Sequence, residues 1–114
     1  MRVKQVKHFK QKDLIIKKIS IDYKKMNMLE LDLLRVNEAS TIYLKEEKED
    51  DYYKKIKSKV DYIMSQLDEQ LKVLLYNDYF SAREVNWWIY YYSKSTYYRL
   101  KNKAMDAFLE WWYA

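Results

Sequence analysis

The chain has no cysteine, no glycine and no proline, and a single histidine. Each absence removes a class of structure. Without cysteine there is no disulfide framework, no thiolate metal site and no cysteine nucleophile. One histidine, His8, leaves no His-based zinc set within the chain. Glycine and proline normally supply roughly 7% and 5% of residues, and tight turns and hairpins lean on both. Their absence points away from strand-rich folds and toward long helices joined by polar links. No apolar run approaches the roughly 18–20 residues of a membrane span. The start of the chain is basic, yet no small-residue cleavage site follows it, so no signal peptide, no membrane contact and a cytoplasmic protein are expected.

What is present narrows this further. A chain of 114 residues makes one domain, long enough to bury roughly two-thirds of its unfolded surface. Lysine outnumbers arginine 18 to 4, and there are 13 tyrosines. A codon bias toward A and T accounts for those counts as well as function does, but it does not account for periodicity. The net charge of +5 is unevenly spread. Residues 1–25 carry a net +7, residues 26–51 a net −5 and residues 81–114 a net +2. A basic arm, an acidic middle and a basic end suit contact with a polyanion.

Along the chain, residues 1–12 (MRVKQVKHFKQK) show little apolar period and read as a basic arm, to which His8 belongs. Asp13 is placed to cap a first helix over about residues 14–37, with Ile16, Ile19, Tyr23, Met26, Leu29, Leu33 and Val36 on its buried face. Residues 38–51 lose the period and read as an acidic linker, with a turn conceivable at 41–44. The run 46–51 lacks the ligand spacing and the glycine of a calcium loop and reads as solvated. Asp50 or Asp51 then opens a long central helix with Ile56, Val60, Ile63, Leu67, Leu71 and Leu74 in register. If unbroken over residues 52–79 it spans about 40 Å; Ser65 or Asp68 offers a new cap and hence a break near 66–69.

The last third carries the functional signal. Ser81-Ala82-Arg83-Glu84 fits a capping box, in which the serine accepts from the backbone and Glu84 reaches back to the cap. It predicts a helix of about nine residues, with Val85, Trp88 and Ile89 inward. Tyr91 and Tyr92 connect it to a second helix capped by Ser93, with Tyr97, Leu100, Ala104 and Phe108 inward. A short helix, a tight connection and a longer basic helix outline a helix-turn-helix, whose second helix enters the major groove of DNA. The outward face holds Lys94, Ser95, Tyr98, Arg99 and Asn102. Arg99 and Asn102 suit base edges, a guanidinium for guanine and an amide for adenine. Lys94, Ser95, Lys101, Lys103 and Arg83 suit phosphates.

The stretch SKSTYYRLKNKAMDAFL resembles the recognition helix of bacterial sigma-70 region 4. It is similar, more closely, to phage autolysin-regulator (ArpU-like) transcriptional regulators with their S-x-S-T-Y-Y-R-L run, and to small Lys-, Tyr- and Trp-rich mycoplasma-type proteins. The likeness covers residues 67–110 and is faint before residue 52. It implies Ser93, Lys94, Ser95, Thr96, Tyr98 and Arg99 at the DNA, with Val85, Ile89, Tyr97 and Leu100 in the core. Two features depart from it. The turn has no glycine and is one residue longer than in region 4, and Trp87 and Trp88 stand where small residues are usual.

The remaining aromatic residues read mainly as packing. The rings between Trp87 and Tyr98 suit a core or subunit interface better than stacking on single-stranded bases. Trp111, Trp112 and Tyr113 either fold back as a lid on the core or mark a dimer or polymerase contact. The expectation is an all-α protein with an N-terminal helix, a long central helix and a C-terminal helix-turn-helix. Residues 1–51 form the arm, first helix and linker; residues 52–114 form the central helix and the two-helix unit, all within one compact domain. Sequence-specific binding of double-stranded DNA in transcriptional regulation follows. RNA polymerase and a second copy of the chain are further candidate partners; no cofactor, metal or enzymatic activity is expected. The alternative is a helical protein-interaction module that docks through its Trp/Tyr-rich end.

Overall fold

The structure, a computed structural model, describes residues 8–35, 47–81 and 84–114. Among these the protein is all-α, with α1 at Phe9–Arg35, α2 at Glu47–Gln66, α3 at Glu69–Leu75 and α4 at Lys94–Trp112. A π turn, Tyr76–Phe80, continues α3, and one turn of 3-10 helix, Trp87–Tyr90, precedes α4. The arm through residue 7, most of the linker with its turn at 41–44, and Arg83 lie outside the described residues.

The first helix begins five residues before the expected start. The Lys12 N–H donates to the His8 carbonyl at 3.0 Å, so His8 opens the helix and Asp13 lies inside it. Asp13 is therefore not a cap, and its carboxylate is turned to tertiary partners. Ile16 and Ile19 are buried as the apolar spacing requires, and Lys12 and Asp22 share that buried face. Asp22 accepts from Tyr52 of α2 at 3.1 Å and from Lys18 one turn earlier. The two helices run antiparallel: Lys25 meets Tyr53, while the earlier Tyr23 donates to Asp61 further along α2.

The long central helix breaks where Asp68 offers a new cap. Asp68 takes an extended ψ of 145° and leaves the helix, and its carbonyl receives the Lys72 N–H at 2.9 Å. The break lets Leu71, Leu74 and Leu75 turn into the same core as Val60 and Ile63. The π turn follows, closed by Ser81 N–H on the Tyr76 carbonyl at 2.9 Å, five residues back.

The helix expected to start at Ser81 is not seen: Ser81 is extended, and the described residues that follow, 84–90, form a turn and the 3-10 helix. The Ser81 hydroxyl caps nothing and finds no hydrogen-bond partner, while Glu84 is exposed. A nine-residue helix here needs Val85 and Ile89 inside, yet they are 86% and 53% exposed and Trp87 is the buried residue. The reason is tertiary. The Trp87 indole donates to Asp78 at 2.7 Å, and the Trp88 ring stacks on Tyr97 at 4.4 Å and 8°. Seating two adjacent large rings against one neighbour outweighs a local cap worth about 1 kcal/mol.

The last helix forms as its sequence predicts. Ser93 accepts from the Thr96 N–H at 3.3 Å, and Tyr97, Ala104 and Phe108 are buried along one stripe. The helix runs unbroken to Trp112 rather than folding back: Trp112 stacks on Phe108 one turn earlier and lies 4.2 Å beneath the Lys59 ammonium, while the exposed Trp111 meets the edge of Tyr62. Phe108 is completely buried between Phe80 and Trp112. Phe108→Ala is expected to cost about 3–5 kcal/mol in urea unfolding, and Ser93→Ala about 1 kcal/mol. A Phe108→Ala loss below that of Ser93→Ala would contradict this packing.

Candidate nucleic-acid interface

The position of α4 is set by a knot of polar groups on its inner side. Asp78 accepts from the Trp87 indole at 2.7 Å and from the Tyr97 hydroxyl at 2.5 Å. Asp13 of α1 accepts from the Tyr79 hydroxyl at 2.5 Å and pairs with Lys17 at 3.0 Å. Lys101 stands between the two carboxylates, 3.4 Å from Asp78 and 3.7 Å from Asp13. Its ammonium also lies 5.1 Å from the Tyr79 ring centroid and 5.7 Å from those of Phe9 and Tyr97. The π turn makes this possible, because its wider coil points Asp78, Tyr79 and Phe80 inward in succession.

The charges in the knot are mutually fixed. Burial raises the Asp13 carboxyl, but the Tyr79 and Lys17 hydrogen bonds and the Lys101 charge outweigh it and hold the group below its ordinary value. Burial, then the bond to Asp13, pushes the Tyr79 hydroxyl far above the ordinary tyrosine value. Tyr97 rises in the same way, through burial and then its bond to Asp78. Both phenols therefore stay protonated donors wherever the fold persists.

This arrangement sorts the expected DNA-contacting residues. Ser95, Arg99 and Lys103 are exposed on the outer side of α4, and Lys94 is exposed at its first turn. Tyr98 is 43% exposed and meets the edge of Phe9 at 5.9 Å. Ser93 and Thr96 are engaged in the helix cap, where the serine hydroxyl donates to Thr96 Oγ1 at 2.9 Å. Asn102 is exposed, but its Oδ1 accepts from Lys12 at 2.8 Å. Lys101 differs from the other basic residues of α4: its side chain is only 14% exposed and its charge is paired with Asp13 and Asp78. The placement of Val85 and Ile89 in the core is corrected by their exposure, whereas Tyr97 is buried and Leu100 is half-buried against the core. Arg83 is outside the described residues.

Two residues missed in the sequence join this surface. Lys12, with only 5% of its surface exposed, reaches Asp106 at 2.6 Å as well as Asn102, and Phe9, Tyr98, Arg99 and Asn102 surround an open hollow of about 530 Å³. The spacing of Phe9, Lys12 and Ile16 carries the helical stripe back into the supposed arm, and that was the available signal. Among the described residues no three acidic or histidine side chains gather to hold a metal ion, and no helix is long and apolar enough to cross a membrane. No family model, curated protein or solved structure matches the chain.

The phenols give the knot a defined pH response. Their folded-state values lie above the ordinary 10.0, so their stabilisation is complete below pH 10 and is lost as pH rises beyond it. In thermal unfolding between pH 9 and 11, the wild type is expected to lose stability more steeply than the Tyr79→Phe/Tyr97→Phe double variant. Parallel slopes would remove the phenols from the account.

Proposed function

We propose that the protein binds double-stranded DNA through the outer face of α4 and acts in transcriptional regulation, in the manner of the sigma-region-4-like and phage regulators its last helix resembles. The observation that carries this reading is the exposed outer face of Ser95, Arg99 and Lys103, with Lys94 exposed at the first turn, on a helix whose inner side is locked. From Ser95 to Lys103 this face runs about 12 Å along the helix. The acidic residues of α4, Asp106 and Glu110, lie beyond it toward the C-terminus. An approach that leads with the first turns of the helix thus meets the basic residues first, as in recognition helices. Arg99 is assigned to a base edge, and Lys94 and Lys103 to phosphates.

A second reading rests on a separate surface. Val85, Ile89, Tyr90 and Tyr91 leave large apolar groups in solvent along the connection before α4, Tyr90 at 90% exposure. Contiguous exposed apolar surface marks a protein contact, so this connection suits a second copy of the chain or a polymerase subunit. A concentration-dependent mass in sedimentation that Ile89→Glu abolishes would favour it.

DNA binding is tested by affinity against salt. The logarithm of affinity should fall against log salt by about 0.9 per phosphate contacted. Arg99→Ala is expected to cost roughly 1–3 kcal/mol on the preferred sequence and to relax preference at one position. Lys103→Ala should weaken all sequences alike and reduce the salt slope by about 1. Lys101→Ala should lower stability instead. Affinity that is flat with salt would sink the DNA reading.

A further inference from the structure

A second cavity, of about 480 Å³, opens on the side of the molecule formed by α1, α2, α3 and the π turn. Three aromatic rings border it: Tyr23 from α1, and Tyr76 and Phe80 from the π turn. Tyr23 and Phe80 meet edge to face at 5.2 Å and 74°. Met64 closes the inner end with a buried, polarizable thioether. The volume falls within the roughly 300–1,000 Å³ typical of small-molecule sites. Tyr76, half-exposed at the opening, offers apolar surface to an occupant.

The polar groups at the opening decide the sign of that occupant. Lys72 is paired with Glu69 one turn away at 3.2 Å, so its charge is already met by a carboxylate. Asp61 accepts at 2.9 Å from the Tyr23 hydroxyl, a neutral donor that leaves the carboxylate its charge. Aromatic faces attract cations through their quadrupole, and a carboxylate at the rim adds to that attraction. An anion would meet the same rings and carboxylate unfavourably.

We propose that this cavity binds an organic cation carrying an apolar body, with the charge between Asp61 and the rings and the body against Met64 and Phe80. The site stands on its own geometry and does not depend on the DNA reading. It does lie beside the anchor of α4: Asn77 borders both this cavity and the cleft next to Asp78 and Lys101. An occupant therefore braces the turn that holds the last helix.

The test uses the whole chain and two probes of similar shape, tetraphenylphosphonium as the cation and triphenylphosphine oxide as the neutral control, with binding followed by titration calorimetry. The cation is expected to bind at least tenfold more tightly. Asp61→Asn keeps an acceptor for Tyr23 but removes the charge, and should weaken the cation at least tenfold while leaving the neutral probe unchanged. Val73→Trp, which fills the opening, should abolish binding of both in a variant shown by circular dichroism to be folded. Equal affinity for the two probes, no binding of the cation at millimolar concentration, or unchanged cation affinity in Asp61→Asn would each overturn the proposal.

Discussion

Lys101 sits between two half-buried carboxylates, and the rest of the structure is arranged around that fact. Its ammonium is surrounded by the rings of Tyr79, Tyr97 and Phe9, a setting in which an unpaired charge costs several kcal/mol. Asp13 and Asp78 meet the charge, but each must be brought from a different element. Asp13 requires α1 to cross α4, and Asp78 requires the π turn after α3. The carboxylates in turn need the donors Tyr79, Tyr97 and Trp87 to satisfy their remaining lone pairs. One cation thus holds α1, the π turn and α4 in a single geometry, and the Trp87 bond fixes the connection as well.

The same constraint divides α4 into two faces with separate tasks. Apolar residues and the knot occupy the inner face, so the helix cannot rotate without stranding charge. The outer face is left with Ser95, Arg99 and Lys103, all exposed, and Lys94 is exposed at the first turn. Lys12 on one edge draws Asn102 and Asp106 toward α1 and narrows that face. A rigid inner face behind an exposed basic outer one is what recognition of a groove demands, since side chains must be presented in a fixed register.

The absence of glycine and proline finds its explanation in how the chain turns. No described residue has a positive φ. Where the chain leaves a helix or enters one, Asp68, Ser81 and Ser93 adopt extended backbone, with ψ of 145°, 170° and 161°. Extended conformations are open to any residue, so among the described residues glycine has no position it alone can fill. Aromatic residues then hold the connection before α4 in place: Trp87 by its indole bond and Trp88 by its stack on Tyr97.

The sequence by itself determined the all-α class, the inner stripes of α1, α2 and α4, the Ser93 cap and the option of a break at Asp68. These follow from spacing and capping, which act over one or two turns and are written in contiguous residues. It also marked Lys94, Ser95, Tyr98, Arg99 and Asn102 as outward, and all five are exposed. It did not determine whether Ser81 starts a helix, because the competing gain comes from seating Trp87 and Trp88 on Asp78 and Tyr97, residues up to nine positions away. Helical spacing sets Lys101, four residues after Tyr97 and three before Ala104, toward the inner side and Lys103 about 200° around the helix from it. What it did not supply is the partners: α1 and the π turn bring Asp13 and Asp78 to Lys101 and leave Lys103 exposed. Charge pairing across 88 residues of chain separation, as between Asp13 and Lys101, is set by tertiary packing alone.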